Sequence, residues 1–177
     1  EPATLCLLVL GAVMAAGCDL GSGPSPVPAT IEPFEGDGQT GRVFQAVPVR
    51  PAVRVVSSRG KPVKDQEVVF TVASGGGHVS GNVVRTDGTG VARVGTWILG
   101  TGAGSQSLQV RTADLPPLMI LATAEPGDPA KLNVLEGDDQ TGVVGTPLDS
   151  DPVVLLTDVY GNPIPGLSGE DVSNGRL

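Results

Sequence analysis

The heptapeptide EGDGQTG at residues 35–41 returns as EGDDQTG at residues 136–142, an offset of 101. The same offset pairs Pro28-Ala29 with Pro129-Ala130, Val43 with Val144, Pro51 with Pro152, Val53 with Val154, Gly60 with Gly161 and Pro62 with Pro163. Residues 35–63 and 136–164 share 11 identities in 29 ungapped positions, well above chance. A period of this size is too long for a solenoid unit and matches one β-sandwich of about 100 residues. The chain is therefore divided into a complete copy at 29–124, a linker at 125–129 and an incomplete second copy at 130–177.

Working outward from the repeat, the apolar pattern predicts short strands between turn residues. Ile31 to Phe34 opens the first copy, and Val49, Val53 and Val55 run to a turn at Ser58-Arg59-Gly60-Lys61-Pro62. Val68, Phe70 and Val72 face one side of a strand that Gly75-Gly76-Gly77 interrupts. Val83 to Thr86 and Val91 to Leu99 flank Asp87-Gly88-Thr89-Gly90, a hairpin pattern. Leu108 and Val110 mark the next strand, and Leu118 to Ala124 closes the copy after Pro116-Pro117. About seven short strands with turns every 8–12 residues predict an all-β, immunoglobulin-like sandwich. Composition agrees: 26 Gly and 16 Pro punctuate a chain that is 40 % hydrophobic. Aromatics make up only 3 %, so the core is expected to be aliphatic around one large ring: Val53, Val55, Phe70, Trp97 and Leu108.

The first thirty residues read as an address. Leu5 to Ala16 is apolar and uncharged for 12 residues, whereas a membrane-spanning helix needs about 20. That length suits the apolar region of a secretory leader. Ala15-Ala16-Gly17-Cys18 follows and resembles the lipobox of bacterial lipoproteins, in which the cysteine is lipidated and becomes the mature N-terminus. By this resemblance residues 1–17 are a leader and Cys18 is the lipidation site. The leader is read as N-terminally truncated, because the chain opens Glu1-Pro2 with neither Met nor a basic region. Residues 18–28, rich in Gly, Ser and Pro, are expected to be a tether, since Pro lacks an amide donor and Gly resists ordering. Asp19 favours the inner membrane in well-studied lipoproteins, which leaves inner against outer membrane undecided.

The first copy also resembles bacterial immunoglobulin-like domains of the invasin/intimin type, the Big-1 group. The resemblance rests on Gly60-Lys61-Pro62 followed by Val68-Val69-Phe70, on Thr86-Asp87-x-x-Gly90, and on Trp97-Ile98-Leu99-Gly100 with Gly102, Gly104 and Leu108. It covers 29–124 well and 130–167 in part, and its motifs specify turns and core positions. It implies a surface stalk or interaction module, which the lipobox resemblance would anchor to the cell envelope by lipid. The protein or glycan partner would sit on the cell surface. It equally admits an adhesin whose binding domain lies downstream, or spacer repeats of a larger surface enzyme.

Charge and residue inventory narrow the chemistry. The formal charge is −8, with 11 Lys and Arg against 19 Asp and Glu, which disfavours nucleic acid as a partner. Both cysteines fall within the first 18 residues and there is one histidine, so neither a disulfide scaffold nor a zinc site is expected. Gly75-Gly76-Gly77 and Gly100-Thr101-Gly102-Ala103-Gly104 lack the Gly-Lys-Ser/Thr ending of a phosphate loop and read as strand connections. His78, Ser80 and Asp87 do not make a hydrolytic triad without an oriented nucleophile and an oxyanion hole. No catalytic residue and no cofactor is expected. Asp128, Asp138 and Asp139 are the calcium candidates, as oxygen ligands at the junction of the copies.

Overall fold

A computed structural model describes residues 25–166. Lipidation at Cys18, the leader, most of the tether and the last residues of the second copy, 167–177, all lie outside the described residues. Every regular element among them is a β-strand.

The first copy divides its opening stretch between two sheets. Strand β1 (Pro28–Glu35) pairs antiparallel with β3 (Ala52–Ser57), which pairs with β7 (Val91–Arg93) in a three-stranded sheet. Strand β2 (Gln39–Arg42) crosses to the other side and lies parallel to the copy's last strand, β10 (Leu118–Glu125). Beyond β10 come β9 (Gly104–Arg111), β4 (Glu67–Ser74) and β6 (Val83–Arg85), completing a five-stranded sheet in the order β2-β10-β9-β4-β6. Two facing sheets joined by cross-over connections, with the last strand between the one before it and the crossed-over start, define an immunoglobulin-like sandwich.

Alternation along the strands builds the core. Val53, Val55, Phe70, Trp97 and Leu108 are all buried, joined by Val68, Leu99, Val110 and Ile120. Burial alternates along β4 and β10, so a one-residue slip would turn the buried set outward, and burial fixes the register. Trp97 is wholly enclosed and its Nε1 has no hydrogen-bond partner.

Three sequence readings are corrected. Val91 to Leu99 is two strands, β7 and β8 (Thr96–Ile98), because the chain swings away at Gly95 to pair β8 with β5 (His78–Ser80). A Cβ on Gly95 would sit 2.6 Å from the Ser80 carbonyl oxygen, a distance no side chain tolerates. Asp87 to Gly90 does form a tight turn: the Asp87 carboxylate accepts from Thr89 N, Thr89 Oγ1 and Val91 N. Its flanking strands belong to different sheets, however, so the turn is a corner of the sandwich rather than a hairpin. Val49 lies outside any strand, and β2 and β5 were not foreseen, being short and poor in alternation.

The second copy begins with β11 (Pro129–Glu136), which pairs antiparallel with β12 (Val153–Asp158), leaving Pro126-Gly127-Asp128 between the copies. Its register reproduces that of β1 and β3 residue for residue: Pro28 opposite Ser57 becomes Pro129 opposite Asp158, and Ile31 opposite Val55 becomes Leu132 opposite Leu156. The repeated heptapeptide earns its place through one glutamine. Gln39 Nε2 donates to the carbonyls of Gly36 at 2.7 Å and Val49 at 2.8 Å, while its Oε1 accepts from Val49 N at 2.9 Å. Gln140 does the same with Gly137, Ser150 and Ser150 N at 2.7, 2.8 and 3.0 Å. A side-chain amide thus stands in for a neighbouring strand and pins a long loop. Val154, Val144 and Leu148 match the buried Val53, Val43 and Val47 of the first copy, and are exposed in the second.

Candidate functional site: the joint between the copies

A cluster of polar groups forms where the end of β12 meets the linker. Asp158 is wholly buried, and its carboxylate accepts four hydrogen bonds. Oδ1 takes Tyr160 N at 2.9 Å and Asn162 N at 2.8 Å; Oδ2 takes Gly127 N at 2.9 Å and Asn162 Nδ2 at 2.7 Å. Burial alone would push this carboxyl up. The Asn162 side-chain amide, then the backbone amides of Gly127, Asn162 and Tyr160, outweigh it and hold the group at about 2, below the ordinary 3.8. A buried charge is tolerable only when so fully paired.

Asn162 carries the contact across to the first copy. Its Oδ1 accepts from Ala103 N at 2.8 Å, and its Nδ2 donates to Thr101 O at 2.8 Å while also holding Asp158. Both amide hydrogens are used. The loop that receives it, Gly100 to Gly104, is propped from below by Gln106, which is buried: Gly100 N donates to its Oε1 at 2.8 Å and its Nε2 donates to Gly102 O at 2.9 Å. Two of the glycines read earlier as connections are steric requirements here. A Cβ on Gly100 would lie 1.8 Å from Gly75 O, and one on Gly77 would lie 2.2 Å from Ile98 O.

Two further contacts close the joint. Arg42, at the end of β2, pairs with Asp128 of the linker. The rings of Phe44 and Tyr160 meet at 5.7 Å between centroids with planes tilted by 55°, a spacing that aromatic pairs favour. Phe44 holds a positive φ of 59°, where its counterpart Gly145 has 83°. A phenylalanine is rarely kept in that conformation without a reason, and here it brings the ring to Tyr160.

The three calcium candidates, Asp128, Asp138 and Asp139, are not brought together here. Asp128 is engaged by Arg42, whereas Asp138 and Asp139 follow the other end of the eight-residue β11. Among the described residues no three His, Cys, Asp or Glu side chains gather as a metal site. His78 and Ser80 lie on β5, paired to β8 through Ile98 and Thr96, and Asp87 is occupied by its own turn. Its carboxyl is held below the ordinary value chiefly by the Thr89 hydroxyl, then by the amides of Val91 and Thr89. Asp158, Asn162, Phe44 and Gln106 were not singled out in the sequence.

No family model matches the chain, and no curated protein matches it. Among solved structures it is similar to a C-terminal 282-residue fragment of intimin in complex with the translocated intimin receptor's intimin-binding domain. That pair shares 22 % identity with a TM-score of 0.39, over 63 % of this chain and 36 % of the other. The D0-D1 domain of intimin matches at 24 % identity and TM-score 0.37, over 54 % of this chain and 44 % of that one. Domains 4-9 of the surface layer protein SbsC match at 17 % identity and TM-score 0.44, over 81 % of this chain and 22 % of that one. The chain thus spans less than half the length of each. The immunoglobulin-like assignment stands on the strand pairing given above.

Proposed function

We propose that the chain belongs to a non-catalytic cell-envelope lipoprotein, anchored through Cys18, whose immunoglobulin-like copies of the Big-1 kind form a stalk or interaction module. The observation that carries the stalk is the joint: a buried carboxylate ties the linker to the second copy, an ion pair ties it to the first, and an amide and an aromatic pair bridge the two copies. A joint of this kind turns separate sandwiches into a lever of defined reach. The apolar run before Ala15-Ala16-Gly17-Cys18 and the Pro- and Gly-rich stretch after it support the anchor. Several acyl chains, at about 0.8 kcal/mol per buried methylene, hold such a protein at the membrane essentially permanently. The partner, a protein or glycan at the cell surface, is engaged by what the stalk presents.

The anchor is tested by expressing the chain behind a complete leader in a bacterium. Wild type is expected in the detergent phase, with mass spectrometry showing acylation at Cys18, and Cys18→Ser in the aqueous phase. Retention of residues 1–17 with no acyl chain contradicts the anchor.

A further inference from the structure

The joint residues occur on one side of each copy only. Positions related by the 101-residue offset show it. Asp158, which gathers four donors, corresponds to Ser57, whose Oγ accepts from Lys61 N at 3.2 Å. Asn162 corresponds to Lys61, Tyr160 to Arg59 and Asp128 to Val27. Gly127, whose N–H reaches Asp158, corresponds to Pro26, which has no N–H to give. On the receiving side, Arg42 corresponds to Val143, and Phe44 to Gly145.

The backbone of the turn is the same in both copies, so the differences there are chemical. The turn after β3 repeats the turn after β12: Ser57 N donates to Lys61 O and Gly60 N to Ser57 O, as Asp158 N does to Asn162 O and Gly161 N to Asp158 O. The isolated bridge between Val56 and Pro62 likewise recurs between Thr157 and Pro163. The folding of the turn therefore does not require Asp158 or Asn162. A lysine in place of Asn162 could donate to Thr101 O but could not accept from Ala103 N, because an ammonium has no acceptor.

We infer that the pole formed by Arg42, Phe44 and the 100–104 loop is a selective docking surface. Its partner is an immunoglobulin-like copy whose turn equivalent to 158–162 presents a carboxylate, an aromatic two residues on and an amide four residues on, behind a linker with a free N–H. The first copy's own turn, with Ser57, Arg59 and Lys61 behind Pro26, does not fit that surface. The order of the two copies is written into the joint, and copies of this chain do not stack end to end through it. This inference rests on the joint holding the copies together, as proposed above.

The test uses the full chain with Cys6 and Cys18 replaced by Ser and spin labels at Met119→Cys on β10 and Asn133→Cys on β11. Pulsed electron–electron resonance reads the distance across the joint. One variant gives the second copy the first copy's set: Gly127→Pro, Asp128→Val, Asp158→Ser, Tyr160→Arg and Asn162→Lys. The reciprocal variant leaves the second copy untouched and gives the first copy Arg42→Val and Phe44→Gly. Wild type is expected to show one narrow distance and both variants to lose it, with Trp97 fluorescence reporting the first copy folded in each. A narrow distance in wild type and in both variants overturns the selectivity while leaving the joint intact. A broad distance already in wild type overturns the joint, and the selectivity with it.

Discussion

Asn162→Ala isolates the bond between the copies. The substitution removes the acceptor for Ala103 N and the donor to Thr101 O, both across the joint, and one of four donors to Asp158. The two cross-joint bonds are open to solvent, so each contributes at the lower end of the usual net range, about 0.5–1 kcal/mol. Their loss costs the joint about 1–2 kcal/mol, which raises the ratio of opened to closed joints roughly 5–30-fold. The Gly127 bond to Asp158, the Arg42–Asp128 pair and the Phe44–Tyr160 contact remain. The same spin-label pair across the joint is expected to show a new population at other distances, with the original distance retained as a fraction. Asn162→Asp keeps an acceptor for Ala103 N but sets a second carboxylate beside Asp158, so it should open the joint further than alanine does. The unfolding midpoint of the first copy should not move, since Asn162 is no part of its core. A distance distribution unchanged in both variants would refute the assignment of Asn162 as the bridge.

Three other expectations follow from the core and the carboxylate. Trp97→Ala should cost about 3–5 kcal/mol by chemical denaturation. Trp97→Phe should cost markedly less, because it also removes a buried N–H that has no partner. The Asp158 clasp has a pH window set by its lowered pKa: its stabilisation is complete above the ordinary carboxylate value of 3.8 and is lost as pH falls through about 2. The joint should therefore hold at pH 5 and open in acid between those values, followed by the Gly127 amide resonance; an opening near neutrality would show that another group controls it.

The fold was largely legible because the two copies agree. EGDGQTG against EGDDQTG, and the alternation through Val53, Val55, Phe70 and Leu108, specify loops and inner faces that depend on local pattern. Val91 to Leu99 reads as one strand because six of its nine residues are apolar, on both sides of Gly95, and only the close approach of Ser80 O reveals the break. The joint was illegible for the opposite reason: its residues lie where the copies differ. Ser57 against Asp158, Lys61 against Asn162 and Phe44 against Gly145 carry no signature by themselves, and identity-based alignment discards them. Asking why a polar residue in one copy becomes a carboxylate in the other would have pointed to Asp158. Nothing local to Gln106 marks it, because its role depends on the loop folded over it.

The most direct test of the central claim, that two immunoglobulin-like copies are held as one lever, is a set of residual dipolar couplings from the isotope-labelled full chain. Backbone amides of β1 to β10 and those of β11 and β12 are predicted to fit a single alignment tensor. Two tensors of different magnitude, one for each copy, would show the copies reorienting independently and would contradict it.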